Sequence, residues 1–331
     1  MRAALIGVLA LVALAVGMLV LTPPSPAIIV APETVFHVGP LDVTNTMFTS
    51  WVVLALMTVV AVVAARGFSV VPSGFSGAVE ALVGGFYNVV VGVVGEAQGR
   101  RFFWVVGTIF FWVLLNNYAG LLPGNLYVGV TEPGHGETQA VFEQASLLGV
   151  DLAYIPIGGE SVDVGAGDEP IAPEKGGDPF SGIIAPLLRS VMTDVNAPLA
   201  IAIFSFIFVE YWGISTLGVG YFGKFFNFRR LLRGNPMGLI DVFVGILELI
   251  SEFIRVVSFT FRLFGNIFAG EVLIVMMSFL VPLLLVTVFY GLELFVGLIQ
   301  AFVFAMLTLV FAQMAVAHHG GGEEGHGAAG H

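Results

Sequence analysis

Cysteine is absent from the 331 residues, which excludes a disulfide framework, a thiolate metal site and a cysteine nucleophile. Charge is scarce as well. Asp, Glu, Lys and Arg make up 11% of the chain against 57% hydrophobic residues, where a soluble domain is about a quarter charged. Twelve Lys and Arg are too few for a general nucleic-acid surface. Histidine is missing from the apolar stretches: four of the six (His318, His319, His326, His331) lie in a Gly-rich end. That composition reads as a soluble tail rather than a metal site. No HExxH or GxSxG pattern occurs, so the common hydrolase signatures are lacking.

What the chain has instead is long apolar runs, and runs of about 18 residues or more read as transmembrane helices. Residues 3–21 form an uncharged run behind Arg2, followed by Pro23-Pro24-Ser25-Pro26-Ala27. Residues 1–27 therefore read either as a signal peptide or as an uncleaved N-terminal anchor. Further runs are expected at about 47–65, ending at Arg66, at about 102–122 behind Arg100 and Arg101, and at about 196–219. Between the first two, Phe75, Val79, Leu82, Val83, Phe86, Val90, Val93 and Val94 recur at helical spacing with Glu80 and Glu96 left out. This is the pattern of an interfacial helix.

Residues 123–188 change character. They hold ten acids (Glu132, Glu137, Glu143, Asp151, Glu160, Asp163, Asp168, Glu169, Glu174, Asp178) and one Lys175, so most of the net charge of −11 sits here. Frequent Gly and Pro and the lack of a helical period predict a long extramembrane loop. Arg66, Arg100, Arg101, Lys224, Arg229, Arg230 and Arg233 fall on one side if the spans alternate and 75–97 does not cross. By the positive-inside rule that side is cytoplasmic and the acidic loop external.

The last third contains two unusually long apolar segments, from Pro236 to Pro282 and from Leu283 to Ala317. As helices they would measure roughly 65 and 50 Å at 1.5 Å per residue, against a hydrocarbon core of about 30 Å. They must tilt, kink or double back, and a steeply inclined pair would wrap something large. The expected fold class is an all-α polytopic membrane protein with five core membrane segments. The last two form a tilted hairpin.

A stripe of polar residues interrupts the first long segment. Glu248, Glu252, Arg255, Arg262 and Asn266 are spaced so that they share one helical face. Charges at membrane depth cost at least about 2.5–3.5 kcal/mol each on insertion scales, so this face must meet protein or water. Arg255 has Glu252 and Glu248 one and two turns away and reads as a structural ion pair. Arg262 is ten residues from Glu252, about 15 Å along the axis, and no acid of its own helix can reach it. If the chain turns at Pro282, Glu271 and Glu293 come to one depth and Arg262 faces Gln300 at another. Two carboxyls at one level can exchange protons; an Arg, which does not deprotonate, is a fixed positive charge.

The run Ser258-Phe259-Thr260-Phe261-Arg262-Leu263-Phe264-Gly265-Asn266-Ile267-Phe268-Ala269-Gly270-Glu271 resembles the signature of subunit a of F-type ATP synthases. Leu298-Ile299-Gln300-Ala301-Phe302-Val303-Phe304 resembles that family's final helix. Thr193-Asp194-Val195-Asn196, Asn116-Asn117 with Pro123-Gly124, and Val71-Pro72 with Glu80 are similar to further family segments, in family order over about 42–317. The resemblance implies a non-catalytic stator subunit in a bacterial plasma membrane, without cofactor or metal. It would face a rotating c-subunit ring, with b subunits of the peripheral stalk as further partners. Protons would enter and leave the ring through two half-channels. Arg262 matches the residue that faces the ring carboxylates. Glu271, Glu293, Asn266 and Gln300 match the outer path, and Glu248 an inner acid. Glu252, Arg255, Asp194 and Asn196 are secondary candidates. The ring carboxylate site, not this chain, sets the choice of H⁺ or Na⁺. In that family the positions of Glu271 and Glu293 often hold one Glu and one His; here both are carboxyls, so a like-charge pair is expected.

Two other readings place different weight on Arg262: a secondary transporter using it to bind an anionic solute, and an intramembrane hydrolase. The first would be favoured by two halves that repeat each other, which this sequence lacks, and the second finds no His in the core spans. The charge asymmetry makes a direct prediction. Because the chain has no native cysteine, single cysteines report cleanly. Cysteine at Gly136 or Gly165 should react with an impermeant thiol reagent from outside, and at Asn227 only from inside. Labelling of both loops from one side would overturn the span count.

Overall fold

The computed structural model describes residue 12 and residues 30–67, 74–122, 128–132, 138–147, 150–154, 161–163, 180–218, 220–221, 237–281 and 284–317. The N-terminal apolar run, the basic segment 224–233, Val71-Pro72, Pro123-Gly124, the turn at Pro282 and the His-bearing tail lie outside the described residues.

Among the described residues six long α-helices follow one another: α1 (Asn45–Arg66), α2 (Gly74–Val94), α3 (Glu96–Gly120), α4 (Asn196–Leu217), α5 (Met237–Leu280) and α6 (Leu284–Ala317). All six are long and apolar enough to cross a membrane, and the membrane part of the protein is all-α. Each apolar run within the described residues is a helix whose ends lie within a few residues of expectation. The largest difference is α3, which begins at Glu96 rather than near 102. Glu96, Arg100 and Arg101 lower the local hydropathy, yet Glu96 in the first turn suits a helix start, where an acid complements the helix dipole. Between α2 and α3 stands Gly95 with φ 81°, a left-handed conformation that ends a helix at little cost only for glycine.

Helix α2 buries a narrower stripe than its apolar pattern suggests. Phe86, Val90 and Val94 are buried, whereas Phe75, Leu82 and Val93 are exposed. Its length and hydropathy would also suit a crossing, so those properties do not separate an interfacial helix from a span.

Residues 123–188, expected to be a loop, contain five strands: β3 (Val128–Glu132), β4 (Thr138–Leu147), β5 (Val150–Tyr154), β6 (Ser161–Asp163) and β7 (Phe180–Pro186). All pairings are antiparallel. β3 pairs with β5 and β7, while the long β4 pairs with β6, β7 and β5 in turn along its length. β5, β3, β7 and β4 thus close into a ring of pairings, with β6 added on β4. Only Leu148-Gly149 separates β4 from β5, the length of a tight hairpin. The acids and glycines masked this in the sequence. A shorter hairpin, β1 (Thr34–Val38) with β2 (Leu41–Thr44), precedes α1.

The chain divides into two compact units: Met1–Val60, Trp112–Asp194 and Leu263–Ile299 form the first, and Ala61–Phe111, Val195–Arg262 and Gln300–His331 the second. In the first, Asn117 Nδ2 donates to the Gly297 carbonyl (3.3 Å) and the Tyr118 hydroxyl to the Leu294 carbonyl (3.1 Å), tying α3 to α6. In the second, Phe86 stacks on Phe110 (4.1 Å between ring centroids) and Phe102 packs on Trp212 (4.5 Å). Arg101 donates to Ser215 and Thr216 at the end of α4. The buried Ser205 hydroxyl lies 2.8 Å from that of Thr308, which itself donates to the Phe304 carbonyl; Ser205 is therefore the donor between helices, a polar link typical of membrane bundles.

Candidate functional site

Two cavities hold most of the charged residues singled out above. The first, inside the first unit, is a narrow space of about 20 Å³ lined by Asn117, Arg189, Ser190, Glu271, Tyr290 and Glu293 among others. Glu271 projects from α5 and Glu293 from α6. The Glu293 carboxyl lies against Gly270, where any Cβ would overlap it. The depth match expected for the two carboxyls is therefore real, and glycine at 270 makes the close approach feasible.

The like-charge pair is not what the structure shows. Arg189, only 5% exposed, donates through Nε to both Glu271 oxygens at 3.0 and 3.3 Å. Its Nη1 donates to the Ala31 carbonyl (3.1 Å) and its backbone N–H to Thr49 Oγ1 (3.1 Å). A buried cation thus stands beside one of the two acids, and repulsion between equals does not describe the site. The sequence reading missed Arg189 because it falls between the end of the acidic loop at 188 and the start of the span near 196. The signal was there: a lone Arg directly after Ile183-Ile184-Ala185-Pro186-Leu187-Leu188 has no water-filled surroundings by composition, and a buried Arg needs an acid.

Neighbouring polar residues extend this environment within the same unit. Asn45 Nδ2 donates to the buried Glu33 carboxylate (3.1 Å), and Thr46 Oγ1 to Asp194 (3.4 Å). Asp194 is part of this polar layer, and Asn196, the first residue of α4, is exposed.

The second cavity, inside the second unit, is larger, about 210 Å³, and is lined by Tyr221, Glu248, Ser251, Glu252, Arg255 and Phe311 among others. Arg255 Nη1 bonds Glu252 at 2.5 Å, and its guanidinium lies 3.8 Å from the Phe311 ring centroid. The structural reading of Arg255 therefore holds: an ion pair and an aromatic face fix it. The Tyr221 hydroxyl donates to Glu210 (3.0 Å). Burial first, and then the Glu210 charge, push that hydroxyl well above its ordinary range, so Tyr221 acts as a donor and not as a proton carrier. The Glu248–Glu252–Arg255 part of the α5 stripe turns toward protein, while Leu249, Ile250, Phe253, Ile254 and Val257 on other faces are exposed.

Arg262 lies between the two sets in sequence and belongs with neither. Among the described residues it makes no ion pair within 4.0 Å; its guanidinium carbon stands 5.8 Å from the Phe259 ring centroid. Phe259 meets Phe304 at 4.9 Å. Counting three residues onward from Phe259 and three back from Phe304 along antiparallel helices sets Arg262 level with Ala301, beside the buried Gln300. Asn266, one turn on, is exposed. Among the described residues, no group of three or more His, Asp or Glu is placed to hold a metal ion.

This architecture defines a class: a polytopic helical membrane protein with two charged cavities and, among the described residues, a cation without an acid within ion-pair distance. The family model for the ATP synthase A chain matches residues 47–313, and the chain belongs to that family. It is similar to ATP synthase subunit a of Moorella thermoacetica, at 24% identity over 88% of this chain and 99% of the relative. It is likewise similar to subunit a of Gloeobacter violaceus, at 28% identity over 88% and 92%, and of Desulfosudis oleivorans, at 27% over 81% and 86%. The protein is accordingly a multi-pass membrane component of ATP synthase, active in proton transport and ATP synthesis.

The Gly270–Glu293 contact yields a prediction. Gly270→Ala should destabilise the protein by about 1–3 kcal/mol, the usual range for overpacking, seen as a lower midpoint in detergent unfolding. Adding Glu293→Ala should remove most of that loss. Equal midpoints for the Gly270→Ala and parental proteins would contradict the contact.

Proposed function

We propose that this chain is the stator side of the ATP synthase proton path and works against a rotating ring of c subunits, with b subunits of the peripheral stalk as further partners. The cavity around Glu271 and Glu293 serves as the outer half-channel, with Asn266 and Gln300 along the same path. The cavity around Glu248, Glu252 and Arg255 serves as the inner one. Asp194 and Asn196 support the outer side. The acidic loop lies outside, and the basic segments and the tail lie in the cytoplasm of a bacterial cell.

Arg262 carries this reading. A guanidinium in an apolar helix, without an acid among the described residues, needs a carboxylate from another chain. A ring that presents one carboxylate after another supplies it. The Arg holds each arriving carboxylate ionised, so the proton it brought departs through one half-channel. The next proton is taken from the other half-channel once the ring has moved on. Because Arg262 cannot deprotonate, it also blocks a direct proton leak between the two paths. The two cavities, each confined to one unit and lined by different residues, support separate access routes.

Arg262→Ala should therefore abolish ATP-driven proton pumping in inverted membrane vesicles while the complex still assembles. Arg262→Lys should rescue poorly, since a compact ammonium lacks the planar fork and loses its proton more readily when desolvated. Coupled pumping at the parental rate in Arg262→Ala would end the reading.

A further inference from the structure

We propose that Arg189 holds Glu271 as a fixed carboxylate and so confines proton exchange in the first cavity to Glu293. This inference rests on reading that cavity as part of the proton path, and it assigns unequal roles to two acids that the sequence presents as equivalent.

The asymmetry is geometric. Arg189 is anchored at three points: both oxygens of Glu271 through Nε, the Ala31 carbonyl through Nη1, and Thr49 through its own backbone N–H. A guanidinium held in this way cannot swing toward α6, and its charge-assisted bonds to Glu271 favour the ionised form of that acid alone. Glu293 is 5% exposed, and among the described residues no hydrogen bond or ion pair reaches its carboxyl. A buried carboxylate with neither cation nor donor is far costlier ionised than protonated. It must take up a proton readily and give it up only to a passing acceptor. The groups facing the cavity from each element are Asn117 of α3, Arg189 and Ser190 before α4, Glu271 of α5, and Tyr290 and Glu293 of α6. Arg189 is the one cation of that set. Its carboxylate partner is Glu271, so Glu293 is left as the exchangeable group.

Arg189 is thus a positioning residue, and its loss has a distinct signature. Removing either member of a buried ion pair leaves a bare charge, which is more damaging than removing both. In inverted vesicles carrying the whole complex, Arg189→Gln and Glu271→Gln should each lower ATP-driven pumping by about tenfold or more. The double variant Arg189→Gln with Glu271→Gln should recover to within about threefold of the parent, because Glu293 still exchanges. Arg189→Gln alone should add a second titrating group to the pH profile of pumping, the released Glu271, and the double variant should lose it again. Glu293→Gln should stop pumping in both the parental and the double background.

The proposal fails if the double variant pumps no better than the two single ones, or if its pH profile keeps the added group. It also fails if Glu293→Gln pumps at the parental rate while Arg262→Ala does not. Parental pumping by Arg262→Ala would instead remove the reading on which the proposal stands. Should Arg189→Gln not assemble, the double variant alone decides the question.

Discussion

A fixed positive charge placed in an apolar helix governs this protein. Arg262 cannot shed its proton, and its own helix offers no acid within reach. Insertion scales set the cost of such a charge at about 2.5–3.5 kcal/mol, too large to be left without return. Phe259 beneath it, 5.8 Å away, offers an aromatic face at the outer limit of a cation–π contact, which offsets only part of that cost. Among the described residues no acid supplies the remainder, and the proposed reading draws it from another chain.

The other charges follow the opposite rule. Arg255 is closed off by Glu252 and Phe311, and Arg189 by Glu271, Ala31 and Thr49. Each is satisfied within its own unit. Buried pairs of this kind contribute little net stability compared with apolar packing, and their value lies in fixing where charge sits. The result is two polar cavities, to which α5 contributes residues after and before Arg262 respectively, the first narrow and holding two acids in unlike surroundings. The bundle around them is held by ordinary means: aromatic contacts such as Phe86 with Phe110, and a Ser205–Thr308 hydroxyl pair.

Much of this was legible in the sequence. Apolar run length gave five membrane segments, because a membrane leaves few alternatives to a hydrogen-bonded helix, and helical spacing gave α2. The spacing of Glu248, Glu252, Arg255 and Arg262 gave a polar face, and counting outward from Pro282 brought Glu271 near Glu293. Three things were hidden. The closed ring of strands within 123–188 depends on pairings between distant residues, which acid- and glycine-rich composition does not display. Arg189 sits at a junction between a loop and a span, and its partner Glu271 is 82 residues away. The narrow buried stripe of α2 was set by which neighbours pack on it, since apolar residues facing lipid and facing protein look the same in one sequence.

The central claim is that Arg262 meets an acid from another chain, and a crosslink tests it most directly. Phe261 is 60% exposed and adjacent to Arg262, so a photoreactive phenylalanine analogue at this position samples whatever covers that face. Irradiation of native membranes should join this chain to a small apolar hairpin protein with a single acid at membrane depth, and peptide mapping should place the adduct near that acid. Adducts with lipid alone, or with proteins lacking an intramembrane carboxyl, would contradict the account.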